Sequence, residues 1–257
     1  MLRLKLVGKK GSAAGKAIAI GAGIPKFTGS YDIDGIVNYG LAGNKFKSFL
    51  NRYKKLESIP ILNKNIGMSK YRAVKLIEKN GILTPDSRLE LPKKYNKKDW
   101  IEKRIHSIGG KGIRFAESSL SGPNTYFQRF IKNRKYELRV HVFSWMPDLN
   151  IQKRLGDKDT LAWNFSAGGY FQTVHNTKQK IFVNAQDIAR KVLDVMGMAF
   201  GAVDFVITDD YEIYFLEVNS APGFTELSKP IYLEAFSKLK TLQLKKFTSL
   251  CNNEITV

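Results

Sequence analysis

The chain has 257 residues, 43% apolar and 25% charged, a balance that supports a folded core and excludes a disordered chain. Its one cysteine, Cys251, excludes an internal disulfide and points to a reducing compartment. The formal net charge of +19 is unevenly placed: residues 1–160 carry 33 basic against 13 acidic side chains and residues 161–257 carry 9 against 10, so the field that favours anionic partners belongs to the first part.

The opening LRLKLV alternates apolar and basic residues as a half-buried strand does, and GSAAGKAIAIGAG after it predicts a turn and a small-residue helix. Lys9, Lys10 and Lys16 interrupt the apolar run, so this segment reads as strand, turn and helix rather than as a signal peptide. DGIVNY at 34–39 predicts a second strand, and NKFKSFLNRYKKLES a basic helix. SKYRAVKLIEKNG predicts a helix with Ser69 as N-cap and Gly81 as C-cap, and Pro85 forbids its continuation.

From about residue 99 strands dominate: DWIEKRIHS, a glycine loop at 109–112, KGIRFAE, TYFQRFI and KYELRVHVFSW. Tyr126, Phe127, Phe130, Phe143 and Trp145 fall within these runs as strand core rather than as a base-stacking platform. NAQDIARKVLDVMG predicts a helix with Asn184 as N-cap, Asp187 at the third position and Gly197 as stop. AFGAVDFVIT and YEIYFLEVN then form a hairpin about Asp209-Asp210, and IYLEAFSKLKTLQLKKF closes the chain as one basic amphipathic helix that packs on the body. No run of about 18 apolar residues occurs, which excludes a membrane-spanning helix, and the lone cysteine's reducing compartment makes a cytoplasmic setting the expectation.

The hairpin carries the chemistry. With residue 208 opposite 211, Asp204 shares a face with residues 213, 215, 217 and 219, so Asp204, Glu217 and Asn219 converge in an otherwise apolar pair of strands. Hard oxygen donors in so small a number suit Mg²⁺ or Mn²⁺ bridged to phosphate oxygens. Lys103, on a strand before Ser-Ile-Gly-Gly-Lys-Gly, can bring a cation and mobile backbone N–H donors to a phosphate chain. The usual nucleotide fingerprints are absent: Lys10 and Ala17 replace P-loop positions around Gly15-Lys16, no G-x-G-x-x-G follows a strand, and no His-Arg-Asp occurs. The three histidines, His106, His141 and His175, lack metal-ligand spacing.

In this order the segments resemble the ATP-grasp ligases over roughly residues 60–225, most strongly at VDFV…YFLEVNSAPG. The likeness is nearest to the group that adds glutamate to ribosomal-protein tails, with D-alanine:D-alanine ligase more distant. The resemblance implies an α+β ATP-grasp fold, two α+β lobes gripping ATP at about 61–130 and 131–257, preceded by a reduced N-terminal α/β domain over 1–60. It implies that Asp204, Glu217 and Asn219 hold two Mg²⁺ ions, with Mn²⁺ as a substitute, and that Lys70 and Lys103 hold ATP phosphates beneath a loop containing Ser107, Gly109, Gly110 and Gly112. It further assigns Arg129, Phe130 and Ile131 to the adenine hinge, Glu137 to ribose, and Arg139 and Lys153 to the γ-phosphate and acyl phosphate, while Asn164 and Gly168-Gly169 resemble the family's N…GG. Arg129 stands where relatives often carry Glu.

The expected function is ATP-dependent carboxylate–amine ligation through an acyl phosphate, releasing ADP and phosphate. The alternatives are a kinase of the same fold that phosphorylates a hydroxyl, and a basic nucleic-acid-binding module without catalysis. The expected partners are a small-molecule or peptide carboxylate and an amine, anionic in character, with Lys132, Arg134, Lys135 and Arg154 flanking the acceptor. Nucleic acid is less favoured, no membrane is involved, and a homo-oligomer is compatible with the sequence.

Overall fold

The computed structural model describes residues 1–106, 112–157, 160–161, 163, 168–252 and 255. Strands β1 (Leu4–Gly8), β2 (Gly35–Tyr39) and β3 (Ile61–Leu62) form a parallel sheet in that order, with helices α1 (Ala13–Gly21) and α2 (Gly43–Arg52) in the connections. Every residue of β2 is buried, as a central parallel strand covered on both faces requires. On one face Val7, Ile36 and Ile61 pack with Phe46 of α2, and on the other Leu4, Leu6 and Val37 pack with Ile18 of α1.

After α3 (Lys70–Lys79) comes an antiparallel sheet of β4 (Ser87–Arg88), β5 (Trp100–Arg104), β6 (Arg114–Phe115) and β7 (Thr125–Arg129), ordered β4-β7-β5-β6. A five-stranded antiparallel sheet follows from β8 (Arg134–Phe143), β9 (Asn150–Leu155), β10 (Tyr170–Thr173), β11 (Phe200–Thr208) and β12 (Ile213–Asn219), ordered β10-β9-β8-β11-β12. Helix α4 (Lys180–Val195) precedes β11, and α5 (Lys229–Lys240) and α6 (Leu244–Cys251) follow β12. One face of the five-stranded sheet is sealed by α3 and α4: Leu138, Val140, Ile151, Val203 and Phe205 bury against Val74, Ile77, Phe182, Ala189 and Val192. The opposite face is polar along Glu137, Arg139, Asp204 and Glu217, and at its Phe143 and Phe200 end it packs on α5.

Three sequence expectations change in detail. Helix α4 begins at Lys180 with Gln179 as cap, so Asn184 lies inside the helix, because Phe182 and Ala185 extend the buried stripe by a full turn. The closing helix is two helices broken at Thr241, whose N–H and hydroxyl both bond Lys238 O; the break lets Phe236 and Leu239 of α5 and Phe247 of α6 enter one core. That core also holds Leu2, Leu4, Ile18 and Val37, so the first sheet is completed by the end of the chain. Gly35 is required there, because a Cβ would collide with the Phe247 ring.

Third, the hairpin turn has three residues, Asp209, Asp210 and Tyr211, closed by Thr208 N–H donating to Glu212 O at 3.1 Å, with Tyr211 left-handed at φ 63°. The extra turn residue alone would put Asp204 and Glu217 on opposite faces. A bulge at Leu216 restores them, so Asp204 opposes Glu217 directly while Phe215 moves with Phe205 to the helix-covered face.

Asn63, left-handed at φ 57° and buried, ties the first sheet to the larger one. Its side chain accepts from Ala199 N–H at 2.8 Å and donates to Phe200 O at 2.8 Å, and its own carbonyl accepts from Asn38 Nδ2 at 3.1 Å. Asn63→Ala strands buried backbone groups and strains the backbone, so it is expected to lower unfolding stability by about 2–4 kcal/mol, read as an unchanged denaturant slope with a lower midpoint. A midpoint unchanged from wild type would contradict this role.

Candidate active site

Alternation along the polar face sets the site. Glu137, Arg139 and His141 on β8, Gln152 and Arg154 on β9, Phe171 on β10, Asp204 on β11 and Glu217 and Asn219 on β12 share that face, because Arg139 pairs with Gln152 and Asp204, and Asp204 with Glu217. Arg139 forks Asp204, with Nε to Oδ1 at 2.7 Å and Nη2 to Oδ2 at 2.6 Å. Arg154 Nη1 lies 2.6 Å from Glu137 Oε2, and its Nη2 lies 3.4 Å from Asp204 Oδ2. Both guanidinium groups stand over the Phe171 ring, at 5.6 and 4.8 Å from its centre. Asn219 Nδ2 donates to Glu217 Oε1 at 3.2 Å, turning the amide toward the carboxylate.

Segments earlier in the chain, the start of α3 and strand β5, contribute the lysines. Lys70 opens α3 after the Ser69 cap, its N–H donates to Ile105 O at the end of β5, and its Nζ lies 2.6 Å from Glu217 Oε2. Lys103 on β5 is buried, and its Nζ donates to Gln128 Oε1 at 2.9 Å while Gln128 Nε2 donates to Ser87 Oγ at 3.2 Å. The Tyr126 ring centre lies 6.0 Å from Lys103 Nζ. Among the described residues, the Tyr126 hydroxyl is a buried polar group without a hydrogen-bond partner.

The charges of this cluster are coupled. Burial alone would raise the Asp204 carboxyl, but Arg139 and Arg154 hold it down to about 2. Burial likewise opposes ionisation of Glu217, and Lys70 outweighs it and lowers the pKa. Glu137 is raised by burial despite Arg154, and Lys103 is lowered by burial while Glu217, Glu137 and Asp204 support its charge.

His141 is held neutral: burial first, then Arg139, pushes it down from 6.5 to about 4. Its Nδ1 lies 3.1 Å from the Tyr232 hydroxyl of α5 and its Nε2 3.2 Å from Gln152 Oε1. Because the folded value is depressed, its contribution is complete above pH 6.5 and is lost as pH falls through about 4. Acidification across that window should therefore cost about 3 kcal/mol through this group, and His141→Gln should flatten the corresponding slope in the pH dependence of stability. An identical slope in the variant would refute the assignment.

The structure thus brings together Lys70, Lys103, Glu137, Arg139, Asp204, Glu217 and Asn219. It does not bring in Lys153. That residue pairs with Leu138 on the helix-covered face, its Nζ 4.3 Å from the Tyr136 ring centre, and its neighbour Arg154 occupies the site instead. Only the register against β8 reveals this, since IQKR places a lysine and an arginine on opposite faces and motif matching can choose either.

The Arg129 side chain turns away from Lys103 and Gln128, over the Trp100 ring and 3.5 Å from Asp99; the Phe130 N–H donates to Asp99 O, and Ile131 follows β7 partly buried. Gly112 is left-handed at φ 79°, while Ser107, Gly109, Gly110, Lys111 and Asn164 lie outside the described residues. The bases expected to flank an acceptor are engaged within the chain. Lys132 pairs with Asp99 at 2.5 Å, Lys135 lies over Tyr211, and Arg134 stacks between Phe130 and Trp163.

Residues 68–224 match the ATP-grasp domain family. The chain belongs to that family. It is 28% identical over 171 residues to tyramine–L-glutamate ligase of Methanocaldococcus jannaschii, covering 66% of this chain and 50% of the relative. It is 36% identical over 73 residues to D-alanine–D-alanine ligase of Aquifex aeolicus, covering 28% of this chain and 24% of that one. The chain therefore spans half or less of the length of these relatives.

Among solved structures, D-alanine–D-alanine ligase of Bacillus anthracis superposes with a TM-score of 0.60 at 17% identity, covering 97% of this chain and 96% of the other. The ATP-grasp ligase PsnB, solved with a precursor variant, Mg and ADP, superposes with a TM-score of 0.60 at 12% identity, covering 92% and 98%. The shared fold is ATP-grasp, α+β; the described residues of this chain are 30% helical and 27% strand. Among the described residues no helix is long and apolar enough to cross a membrane.

The donor set fits a divalent cation that arrives with phosphate. Asp204 and Glu217 face one another with Asn219 beside them, all hard oxygen donors, and no group of three or more His, Cys, Asp or Glu forms a self-sufficient metal site among the described residues.

Proposed function

We propose that this chain joins a carboxylate to an amine at the expense of ATP. A carboxylate oxygen attacks the γ-phosphorus and the bond to the β–γ bridging oxygen breaks, giving an acyl phosphate and ADP. An amine nitrogen then attacks the acyl carbon, phosphate leaves, and the amine proton passes to solvent or phosphate. The reading is carried by one observation within an ATP-grasp chain: four basic groups from separate elements, Lys70 of α3, Lys103 of β5, Arg139 of β8 and Arg154 of β9, converge on Asp204, Glu217 and Glu137.

In this reading Lys70 and Lys103 bind the β- and γ-phosphates, and Gln128 holds Lys103 in line. Arg139, kept rigid by its two-pronged contact and Phe171, faces the transferred phosphoryl group, and Arg154 takes the part that the family resemblance implied for Lys153. Glu137 orients Arg154 and lies where a ribose hydroxyl can be bound, and the backbone of Phe130 and Ile131 faces adenine. Asp204, Glu217 and Asn219 would hold Mg²⁺, two ions by the family pattern, which neutralises phosphate charge when bound. Catalysis is then positioning and charge neutralisation, with no protein nucleophile. The positive excess of residues 1–160 supports an anionic substrate, and the need for ATP together with a lone cysteine supports a cytoplasmic setting.

The test is ADP release in a panel of carboxylates and amines, with products read by mass spectrometry. Release that needs both co-substrates and yields an amide supports ligation. A stable phosphorylated hydroxyl compound formed without amine would establish the kinase alternative, and absence of any nucleotide turnover with salt-sensitive nucleic-acid binding would establish the other. An anionic acceptor should lose its advantage as salt shortens the Debye length to below about 8 Å.

A further inference from the structure

Each carboxylate of the cleft already holds a basic partner. Lys70 Nζ is 2.6 Å from Glu217, Arg139 forks Asp204, and Arg154 pairs with Glu137. Lys103 faces the same three carboxylates while bonded to Gln128, so cations outnumber carboxylates in this cluster among the described residues.

A divalent ion arriving alone would have to displace Lys70 from Glu217 and Arg139 from Asp204. It would then sit beside the two displaced cations in a partly desolvated cleft, where such repulsion is strong. A polyphosphate removes that conflict. Its oxygens receive the lysines and arginine as the ion takes the carboxylates, and the exchange leaves no charge uncompensated.

Lys70 is built to make the move. It begins α3, its backbone is tied to the end of β5, its stem is flexible, and its side chain is 21% exposed, so the ammonium can swing without unfolding anything. The two-pronged grip of Arg139 on a carboxylate that is 4% exposed is the firmer contact.

On the ATP-grasp reading of the cleft, we propose that Lys70 is an internal counter-ion that occupies Glu217 until a metal–nucleotide complex arrives, so that the divalent ion enters only together with nucleotide. Lys70 then passes from carboxylate to phosphate, which makes it a positioning residue for the metal and a binding residue for ATP.

The experiment follows free Mn²⁺ by its electron paramagnetic resonance signal, with the intact chain and no turnover. Wild type should leave Mn²⁺ free when the metal is added alone, and with a non-hydrolysable ATP analogue it should remove more Mn²⁺ from the free signal than the same analogue does without protein. Lys70→Met should bind Mn²⁺ alone tighter than wild type by roughly tenfold or more, within the 5–150-fold range of ordinary coupling between sites. Lys70→Arg, which keeps the cation, should behave as wild type, and thermal midpoints establish that each variant is folded. Wild type binding Mn²⁺ alone as tightly as Lys70→Met overturns the proposal and leaves the ATP reading standing if the analogue also binds. No capture of Mn²⁺ with analogue by any folded form overturns both. Should Lys70→Met fail to fold, wild type decides alone: binding of Mn²⁺ that is indifferent to the analogue refutes the proposal, and binding that requires the analogue supports it.

Discussion

Glu217→Ala is expected to lower turnover by about 10³-fold or more while the chain still folds. Glu217 is the site carboxylate that ties β12 to the start of α3 through Lys70, with Asn219 two residues along its own strand. Its loss leaves phosphate charge without the ligand that would carry the metal, and one such electrostatic element is worth about 3–4 kcal/mol at the transition state. Folding survives because Glu217 and Lys70 are 27% and 21% exposed, so the orphaned ammonium reaches water. Single-turnover ADP release beside a thermal midpoint separates the two effects. Near-normal turnover at saturating Mg²⁺ would remove Glu217 from the metal site, and Glu217→Gln, which keeps shape without charge, should fall nearly as far.

The acidic trio was legible in the sequence because three polar residues recur at strand spacing in the otherwise apolar AVDFVIT…YFLEVN. The register behind it was not. A three-residue turn and a bulge at Leu216 each shift the pairing by one; together they move it by two, which returns Glu217 and Asn219 to the expected face, while Phe215, before the bulge, takes only the first shift and changes face. Lys153 shows the converse, since nothing in IQKR says which basic residue faces the cleft until β9 is paired with β8. Local pattern fixes which residues share a face along one strand, and long-range pairing fixes which face that is.

The same limit explains the supporting residues. His141, Gln128 and Ser87 carry no motif, and they matter only because Tyr232 from α5, Lys103 from β5 and Gln128 from β7 are brought against them across long stretches of chain. The first sheet was legible as strand, helix and strand, but its dependence on Phe236, Leu239 and Phe247 was not. Those residues read equally well as one long helix, and the break at Thr241 follows from the core they share with Leu4 and Ile18.

Arg139→Ala is expected to be the most damaging single change to stability in the site, costing about 3–5 kcal/mol, because it removes one partner of a buried pair and keeps the other. Asp204 is then left with Arg154 at 3.4 Å in a setting where its side chain is 4% exposed. The pH dependence should shift in a definite direction. In wild type the Asp204 carboxyl titrates near 2, below its ordinary 3.8, so its stabilising contribution is complete above about 3.8 and is lost as pH falls toward 2. Without Arg139 the carboxyl rises toward its ordinary 3.8, and the acid-sensitive component between pH 4 and 2 should shrink, reversing in sign if the carboxyl passes that value. Adding Asp204→Asn to Arg139→Ala should recover part of the lost stability, since the double variant no longer buries an uncompensated charge, whereas two independent sites would give additive losses. Denaturant midpoints of the four proteins, wild type, the two single variants and the double, measure this coupling directly. Additive losses with an unaltered acid limb would show that the fork between Arg139 and Asp204 does not hold this face of the sheet together.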